Sequence, residues 1–440
     1  MIIKPRSLSG LADYTEAENI ALSKWIRIVE NEYRLFGFSR LIPRPLELQE
    51  VLLSKGGIQN LIFGVSRLHT GKLTDMALPF DRTVPLANWI ARREGEVAFP
   101  YKRYDISYSF RGERAQAGRF QGFFQADVDI IGKGKLDLSA DAEVINVVYL
   151  ALKKLGFTDL YLCINDIKLT NCILQELSVP LEKHKEVLTV IDDLLKITKE
   201  QLLENLIKVH SFTDQEIQTI WNIFSYKGVV NGIVDILNKN GMMTENIKPI
   251  IDNLMNTIEL LTTGGVEENN IIFCPAIVRG LDYYTGIVFE TFLRGCENIG
   301  SIASGGRYEN LASTFTKSIL PGVGGSIGLT RLFSTAIKNN LVPIEQCTEA
   351  DYFIGFRETT FRNQGMQIAF HLRKKGYNTD LYSGSDDFKK QLTYANKKGF
   401  NNAIFVMDSD SVFVKDMATG AQKDFKNIDD LLDYIQKKEM

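Results

Sequence analysis

The chain is poor in the residues on which many catalytic and metal sites depend. Its 440 residues include only five cysteines and four histidines. The cysteines are far apart and form no CxxC pair, which argues against a disulfide framework or a structural zinc site. The histidines are scattered as well, so neither a catalytic histidine pair nor an HExxH metal helix is supported. We therefore expect no resident metal and no histidine or cysteine nucleophile.

Long apolar segments are also absent from the sequence. No apolar run reaches the length of a membrane-spanning helix, and the start, Met1-Ile-Ile-Lys-Pro-Arg6, lacks the apolar core of a signal peptide. A content of 45% hydrophobic and 24% charged residues is typical of a globular protein. The net charge of −3 gives no global attraction for nucleic acid, so RNA contacts would need local patches. We expect a cytoplasmic protein with no membrane partner.

Two common nucleotide-binding motifs are missing. The chain has no GK[ST] sequence, which excludes a P-loop. The glycine-rich run that begins at Gly322 would need another glycine at position 327 to match the dinucleotide fingerprint, and Ile327 stands there without a surrounding βαβ pattern. A nucleotide site in this chain would therefore be of another kind.

Hydrophobic periodicity divides the chain into a strand-rich part, a helical block and a compact C-terminal part. Helices are predicted over 15–36 and 140–155 and from about 328, and strands over 100–132, 158–165, 271–293 and 300–304. The segment from about 183 to 262 is helical throughout, which indicates an insertion. From Asp351 onward short strands alternate with helices, ending with a helix near 427–438. These patterns predict an α+β fold with a helical insertion and a C-terminal α/β domain.

The most informative segment is a predicted hairpin within residues 100–132. Because successive side chains of a strand point to opposite faces, one face of its second strand carries two amides, an aromatic ring and two carboxylates: Gln121, Phe123, Gln125, Asp127 and Asp129. On the first strand Arg111 follows Ser109, Ser107 and Asp105, and the connecting loop adds Arg114 and Arg119. Guanidinium groups match phosphate geometry, and carboxylates would bind a cationic group. One pocket could hold both, although a solvent-facing hairpin of mixed charge remains an alternative.

Two further boxes have glycines or aromatic residues at close spacing. Residues 279–290, RGLDYYTGIVFE, open with an arginine and two tyrosines that could line a site, or form a plain strand with an exposed arginine. Residues 303–311, ASGGRYENL, are interpreted as a Gly-Gly turn into a helix, and residues 322–331, GVGGSIGLTR, as a strand entering a helix. We expect their glycines to let a nucleotide approach the backbone closely.

In this order the boxes resemble class II aminoacyl-tRNA synthetases, and specifically the histidyl-tRNA synthetase family. Residues 279–290 are similar to that family's histidine signature nearly residue for residue, and residues 303–311 look like its second signature. Residues 110–113 resemble class motif 2, and residues 322–331 resemble motif 3. The likeness covers nearly the whole chain. It implies a catalytic domain over 1–345, with a mainly antiparallel six-stranded sheet, flanking helices and the insertion at about 183–262, followed by an anticodon-binding domain over 348–440.

The resemblance also implies a role for each site residue. The α-amino group of histidine would be held by Asp81, Thr83 and Gln125, and its imidazole by Asp129 and Tyr284 with Tyr283 beside them. Arg111 and Arg279 would be catalytic, contacting the carboxylate and the α-phosphate. ATP would be bound by Arg111, Glu113, Arg119, Phe123 and Arg331. Arg82, which stands where the family usually has leucine, is included among the histidine-binding residues.

The same resemblance implies the reaction and its partners. The family ligates L-histidine to tRNA(His) through a histidyl-adenylate, with ATP as substrate, Mg²⁺ arriving with ATP, and release of AMP and pyrophosphate. Its members are homodimers that pair through motif 1, which resembles residues 43–47 here. The chain departs from the family pattern at Pro79, Asn88, Gln121 and Thr330 as well as at Arg82.

Three other functions are compatible with parts of this pattern. Related regulatory subunits of ATP phosphoribosyltransferase typically lack the anticodon domain and an intact histidine box, and this chain has both. A sensor of uncharged tRNA would not need Arg111, Arg119, Arg279 and Arg331. A class II ligase for another amino acid is disfavoured by the signature at 279–290.

Overall fold

A computed structural model describes residues 2–54, 59–114, 118–194, 197–278, 284–342, 344 and 347–438. The chain divides into two compact units. The first comprises Met1–Ala12 and Trp25–Lys338, and the second comprises Asp13–Lys24 and Asn339–Met440. No helix within the described ranges combines the length and the apolar character that crossing a bilayer requires.

The first unit contains a large sheet, a small sheet and most of the helices. Its strands in the described ranges are β1 (Ser39–Arg40), β2 (Glu47–Leu48), β3 (Gly64–Ser66), β4 (Leu73–Ala77), β5 (Tyr101–Phe110), β6 (Gly122–Ile131), β7 (Leu160–Asp166), β8 (Ile271–Phe273), β9 (Tyr284–Leu293), β10 (Ala303–Tyr308) and β11 (Gly322–Ile327). The helices are α1 (Glu16–Leu35, which begins in the second unit), α2 (Gln49–Leu53), α3 (Thr83–Arg93), α4 (Ser139–Lys154), α5 (Ile167–Glu176), α6 (Leu181–Asp192), α7 (Lys199–Val209), α8 (Asp214–Phe224), α9 (Val230–Lys239), α10 (Lys248–Thr263) and α11 (Leu329–Lys338).

The large sheet has the strand order β1-β5-β6-β11-β10-β9-β7-β8. From β5 to β7 every neighbouring pair is antiparallel, whereas the short edge strands β1 and β8 are parallel to their neighbours. The expected six-stranded antiparallel sheet is therefore confirmed, with one short strand added at each edge.

The two faces of the sheet differ in character. One face packs against helices: Tyr33 of α1 donates a hydrogen bond to the carbonyl of Ala126 at 3.0 Å, and Val148 of α4 lies against Gly325 of β11. The buried Arg307 of β10 also joins this face to α4 through a bidentate pair with Asp141, whose nitrogen–oxygen distances are 2.9–3.0 Å. The opposite face carries the polar residues of β5 and β6.

The helical block lies between β7 and β8, as the pattern at 183–262 predicts. Its helices begin at strong local signals: Thr198 and Thr213 each form a capping box, with Gln201 and Glu216 respectively. Apolar residues at helical spacing, such as Leu202 and Leu206 of α7, are fully buried. The last helix, α10, packs on α4 beneath the sheet.

The second signature folds differently from the prediction. Residues 303–308 form strand β10, paired on both sides with β9 and β11, and not a turn into a helix. A Cβ atom on Gly305 would lie 2.1 Å from the carbonyl oxygen of Gly324, and one on Gly306 would lie 2.7 Å from that of Ile287. The two glycines therefore reflect close packing between strands rather than a turn.

The second unit is a small α/β domain, as predicted. Its strands are β12 (Tyr352–Phe356), β13 (Thr379–Leu381), β14 (Asn402–Asp408), β15 (Ser411–Asp416) and β16 (Gln422–Phe425), and its further helices are α12 (Arg362–Lys374), α13 (Phe388–Lys398) and α14 (Ile428–Lys438). The sheet order is β13-β12-β14-β15-β16. Apolar clusters lie on both faces of the sheet, and the buried Gln391 of α13 exchanges two hydrogen bonds with the backbone of Phe356.

Candidate active site

A long hairpin forms the floor of the candidate site. Strands β5 and β6 pair without interruption from Tyr101↔Ile131 to Phe110↔Gly122. This register places Arg103 opposite Asp129, Asp105 opposite Asp127 and Ser107 opposite Gln125. Since paired residues of a sheet point to the same face, these side chains share the polar face that the alternation of the sequence predicted.

Buried charged groups occupy one end of this floor. One terminal guanidinium nitrogen of Arg103 lies 2.7 Å from Asp129 Oδ2. The other terminal nitrogen lies 3.7 Å from Asp105 Oδ2. Tyr308 of β10 donates a hydrogen bond to Asp129 Oδ1 at 2.9 Å. Burial alone would lower the pKa of Arg103, but the Asp129 and Asp105 carboxylates raise it above its ordinary value. Asp129 is therefore held in one orientation by a permanent cation and by a phenol whose pKa burial raises far above neutrality.

The N-terminus of α3 covers this buried end. Asp81 accepts a hydrogen bond from the Val84 amide at 3.0 Å, so its carboxylate is fixed at the helix start beside Thr83. Arg82 points inward: its Nε lies 2.9 Å from Asp105 Oδ2, and the two side chains are only 2% and 3% exposed. The guanidinium of Arg82 is thus paired with a residue of the protein itself.

Several buried polar atoms along the floor lack hydrogen-bond partners within the described part of the chain. They lie on the polar face of β5 and β6: Arg103 Nε, Ser107 Oγ, Ser109 Oγ, Gln125 Oε1 and Asp127 Oδ1. Buried polar atoms in native proteins are nearly always hydrogen-bonded, so a group of unsatisfied ones indicates a missing polar ligand or water. Burial also raises the pKa of Asp127 to about 7, although Arg103 opposes the shift.

Aromatic and cationic groups lie at the other end of the hairpin. The guanidinium of Arg111 stands 5.1 Å from the centre of the Phe123 ring and 6.0 Å from that of Phe80. Its Nε donates a hydrogen bond to the Phe80 carbonyl at 3.4 Å. Stacking between the two rings restrains the guanidinium while leaving its terminal nitrogens for an anion.

The hairpin loop and the start of α11 bring two more arginines. Arg119 pairs with Glu113 at 3.1 Å, and Gln121 braces the loop by donating to the Glu113 carbonyl at 2.8 Å. On α11, Thr330 accepts a hydrogen bond from the Phe124 amide at 2.8 Å, which ties this helix to β6. Partial burial and the positive charge of Arg119 lower the pKa of Arg331. Two guanidiniums that repel one another in this way form a suitable site for a polyanion.

The glycines of β10 and β11 serve the site in an unexpected way. A Cβ atom on Gly324 would lie 2.2 Å from Asp129 Oδ1, and one on Gly322 would lie 2.3 Å from the Tyr308 ring. The space above these glycines is therefore filled by side chains of the protein. The expectation that they admit a nucleotide is wrong for Gly305, Gly306, Gly322 and Gly324.

The histidine signature is described only from Tyr284 onward. Two predicted site residues, Arg279 and Tyr283, lie outside the described residues. Tyr284 opens β9 and pairs in register with Tyr308, which places it at the buried charged end of the floor. Of the predicted residues that are described, Asp81, Arg82, Thr83, Asp129 and Tyr284 gather at this end, Gln125 lies in the middle, and Arg111, Glu113, Arg119, Phe123 and Arg331 lie toward the loop.

Sequence reasoning assigned no role to several residues of the site. Arg103 and Tyr308 fix Asp129, Ser326 accepts a hydrogen bond from Gln125 Nε2 at 3.0 Å, and Thr330 secures α11. Strand alternation alone could have indicated Arg103, because it lies on the same face as Asp105 and Ser107. Pairing with β10 and β11 could not be read from the hairpin sequence.

An antiparallel six-stranded sheet with arginines on the motif 2 hairpin and at the start of the motif 3 helix is the arrangement of a class II aminoacyl-tRNA synthetase. The family model described as histidyl-tRNA synthetase matches residues 10–332. The chain is 34% identical to the histidine–tRNA ligase of Clostridium tetani over 428 residues, covering 96% of each protein. The crystal structure of histidyl-tRNA synthetase from Nostoc sp. PCC 7120 superposes with a TM-score of 0.88 at 29% identity, covering 99% of this chain and 100% of that one. The chain belongs to the histidyl-tRNA synthetase family.

A further solved structure has the same fold at greater distance. It is titled an ATP phosphoribosyltransferase regulatory subunit/histidyl-tRNA synthetase, from Bacillus halodurans, and superposes with a TM-score of 0.75 at 20% identity over 92% of this chain and 100% of that one. This likeness concerns the fold alone.

Proposed function

We propose that this chain activates L-histidine with ATP and transfers it to tRNA(His), with release of AMP and pyrophosphate. The observation that best supports this activity is the β5–β6 hairpin, which holds carboxylates at one end, the Gln125 amide in the middle and Arg111 near Phe123 at the other end. The first end suits the cationic and N–H groups of an amino acid, and the second suits a nucleotide. Because both ends belong to one rigid ribbon, the reactants would meet in a fixed orientation.

The residue roles follow from this placement together with the family resemblance. Asp81, Thr83 and Gln125 would bind the α-amino group of histidine, and Asp129 and Tyr284 would bind its imidazole beside Tyr283. Phe123 and Arg331 would stack on the adenine, Glu113 would contact its edge, and Arg119 would bind the γ-phosphate. Arg111 and Arg279 would contact the carboxylate and the α-phosphate.

For Arg82 we propose an indirect role in histidine binding. Its guanidinium is paired with Asp105, which also faces Arg103. Direct contact with the substrate would require breaking a buried ion pair, which is costly. Arg82 would therefore act as a positioning residue through Asp105 and Arg103.

The chemistry needs no nucleophile from the protein. The carboxylate of histidine attacks the α-phosphorus of ATP, pyrophosphate leaves, and the arginines neutralise charge that develops on the phosphate oxygens. A terminal ribose hydroxyl of the tRNA then attacks the histidyl-adenylate and releases AMP. Mg²⁺ would enter with ATP and screen the phosphate charge. Within the described ranges no group of three or more His, Cys, Asp or Glu side chains is arranged to hold a metal ion. An ion that arrives with ATP would be bound chiefly by phosphate oxygens and water.

We further propose that the C-terminal α/β unit binds the anticodon arm of tRNA(His). Residues 389–399 and 414–420 are similar to the family in this region, and in the structure they form most of α13 and the end of β15 with the turn that follows. Lysines on α13, including Lys389 and Lys397, are exposed. They would supply the local positive charge that the overall composition lacks.

Assembly as a homodimer and a cytoplasmic location are also part of the proposal. Large apolar side chains near motif 1 are exposed: Leu35 and Ile42 are each 79% exposed, and Leu73 of β4 is 65% exposed. Exposed apolar residues of this size on neighbouring segments favour an interface with a second copy. The cytoplasm is where tRNA charging and translation occur.

The direct test is amino-acid-dependent exchange between pyrophosphate and ATP, with each of the twenty amino acids supplied alone. Exchange with histidine only, followed by charging of tRNA(His), is the expected result. A folded protein that binds tRNA but supports no exchange would contradict the proposal and favour a tRNA sensor, whereas binding to the catalytic subunit of an ATP phosphoribosyltransferase would favour a regulatory subunit.

A further inference from the structure

Asp127 is a buried carboxylate for which the roles proposed above leave no function. It lies between Gln125 and Asp129 on the polar face of β6, opposite Asp105 on β5 and Ser326 on β11. Asp127 is only 5% exposed. Two other carboxylates of the floor, those of Asp105 and Asp129, each have a guanidinium partner. Among the described residues no such ion pair is formed by Asp127.

The hydrogen bonds around Asp127 leave acceptors in excess. Gln125 donates through Nε2 to Ser326 Oγ at 3.0 Å, and the Ser326 hydroxyl in turn contributes a hydrogen bond to the Asp127 carboxylate. Gln125 Oε1 and Asp127 Oδ1 then remain without donors within the described ranges. Two neighbouring buried acceptors need a ligand that donates several hydrogen bonds, and next to a carboxylate a cationic donor is favoured.

The position of Asp127 selects the group it would contact. Same-face neighbours on a strand stand roughly 7 Å apart, a span that one amino acid can bridge. Asp129 is assigned to the imidazole and Gln125 to the α-amino group, so the residue between them lies along the substrate. An ammonium group is cationic at neutral pH and carries three donors, which matches both unsatisfied acceptors.

We propose that Asp127 binds the α-ammonium group of histidine together with Gln125, an assignment that rests on the function proposed above. Asp127 thereby becomes a third carboxylate of the amino-acid site, beside Asp81 and Asp129. The bound ammonium gives Asp127 a cationic partner, as Arg82 and Arg103 do for Asp105 and Asp129. Histidine without its ammonium group would gain nothing from Asp127.

Proton linkage follows from the same contact. The charged groups that interact with Asp127 on this face are Arg103 and Asp105 of β5 and Asp129 of β6, and Ser326 of β11 contributes a hydroxyl. Tyr33 of α1 lies on the opposite face of the sheet and interacts with Asp127 only through its charge. Burial raises the pKa of Asp127 to about 7, so near neutrality the carboxyl is partly protonated before substrate binds. An ammonium ion requires the carboxylate, and binding therefore releases a proton.

The test compares Asp127→Asn with wild type in histidine-dependent pyrophosphate exchange. The expected KM for histidine rises by about 10- to 100-fold, the loss typical of a hydrogen bond to a charged group, while the KM for ATP is unchanged. In wild type the KM should also rise more steeply than in the variant as pH falls from 8 to 6. The imidazole of free histidine titrates identically in both experiments, so its effect cancels in the ratio of the wild-type KM to the variant KM at each pH.

A substrate analogue identifies the group that is contacted. 3-(Imidazol-4-yl)propanoate is histidine without the ammonium group, and as a competitive inhibitor it should bind wild type and Asp127→Asn equally. Asp166→Asn is the matched control, since Asp166 is another buried carboxylate with a raised pKa, at the far side of the sheet on β7. Its KM for histidine should not change. Equal weakening of histidine and of the analogue in Asp127→Asn would overturn the proposal.

A measurement on wild type alone covers the case in which Asp127→Asn fails to fold. Calorimetric titration of histidine at pH 7 in two buffers of different ionisation enthalpy should show release of about half a proton per histidine bound. Subtracting the release seen with the analogue corrects for the imidazole. No ammonium-dependent release would contradict the role of Asp127. A wild-type protein that shows no exchange with histidine would instead contradict the proposed function itself.

Discussion

Arg82 and Asp105 form a buried ion pair, with 2.9 Å between Nε and Oδ2 and almost no exposure of either side chain. Arg82 stands where the family resemblance leads one to expect leucine. An unpaired arginine could not be buried at this position, and Asp105, on the hairpin strand, supplies the matching charge. The departure from the family pattern is thus compensated inside this chain, and it connects the start of α3 to the residues that orient Asp129.

Disruption of this pair should cost stability in a non-additive way. Arg82→Leu or Asp105→Asn alone leaves a buried charge with fewer partners, and each should lower the free energy of unfolding by roughly 3–5 kcal/mol. The double variant should lose clearly less than the sum. Urea denaturation of the two single variants, the double variant and wild type gives the interaction energy between Arg82 and Asp105. Simple additivity of the two losses would show that the pair is not coupled. If Arg82 acts only by positioning, the double variant should also regain part of the histidine affinity that Arg82→Leu loses.

Gly324 should be intolerant of a methyl group. Alanine at this position would bring Cβ to 2.2 Å from Asp129 Oδ1. The carboxylate must then move, so we expect a loss of about 1–3 kcal/mol in the free energy of unfolding and a higher KM for histidine. Gly328→Ala is the control in the same motif, because the nearest atom to its added Cβ is Arg331 Cβ at 4.0 Å. Similar behaviour of the two variants would refute this explanation of Gly324.

Arg331 should matter for ATP and not for histidine. Partial burial lowers its pKa, and the positive charge of Arg119 lowers it further, so a bound polyanion would relieve this repulsion. Arg331→Ala should raise the KM for ATP by about 10- to 100-fold, as expected for a lost hydrogen bond or stacking contact of a charged group. The exposed Arg93, which pairs with Glu96 on the surface, provides the control variant Arg93→Ala. An unchanged KM for ATP in exchange assays of Arg331→Ala would remove this residue from the nucleotide site.

Asp166 allows a test of pH-dependent stability. Burial raises its pKa from 3.8 to about 6, while its carboxylate caps α5 through the Lys168 amide. The folded protein therefore binds a proton more tightly than the unfolded chain, and the stability that Asp166 contributes is present below pH 3.8 and is lost as pH rises through 6. Asparagine keeps the cap without the charge.

Relative to wild type, Asp166→Asn should therefore gain stability between pH 4 and pH 8, by at most roughly 3 kcal/mol. Denaturation of both proteins across this range measures the difference. A difference that is constant with pH would mean that the pKa of Asp166 is not raised in the folded protein.

The sequence predicted this site well where local pattern governs structure. Alternation along β6 correctly placed Gln125, Asp127 and Asp129 on one face, and helical spacing located α1, α4 and the helical block. Contacts between segments that are far apart in the sequence could not be predicted in this way. Gln125 and its partner Ser326 are 201 positions apart. Because the Gln125 amide donates to Ser326, it does not donate to Asp127 Oδ1, which stays unsatisfied within the described ranges.

Glycine was the main source of error. In β10 the pair Gly305 and Gly306 resembles a turn, because glycine is common in turns. Its actual cause lies in three-dimensional packing, since Phe289 and the backbone of β11 lie against one glycine and the backbone of β9 against the other. A single sequence does not distinguish these two uses of the residue.

The helical block leaves the sheet after β7 and returns at β8, and these two strands are adjacent, with Leu162 beside Ile271. A segment whose ends meet at one edge of a sheet can lengthen, shorten or be exchanged with little effect on the closure entropy of the core. Strand β6 of the candidate site is the fourth strand from β7 in the sheet, so such a change would leave the geometry of the site unaltered. The block is consequently a place where new recognition properties can evolve independently of the chemistry.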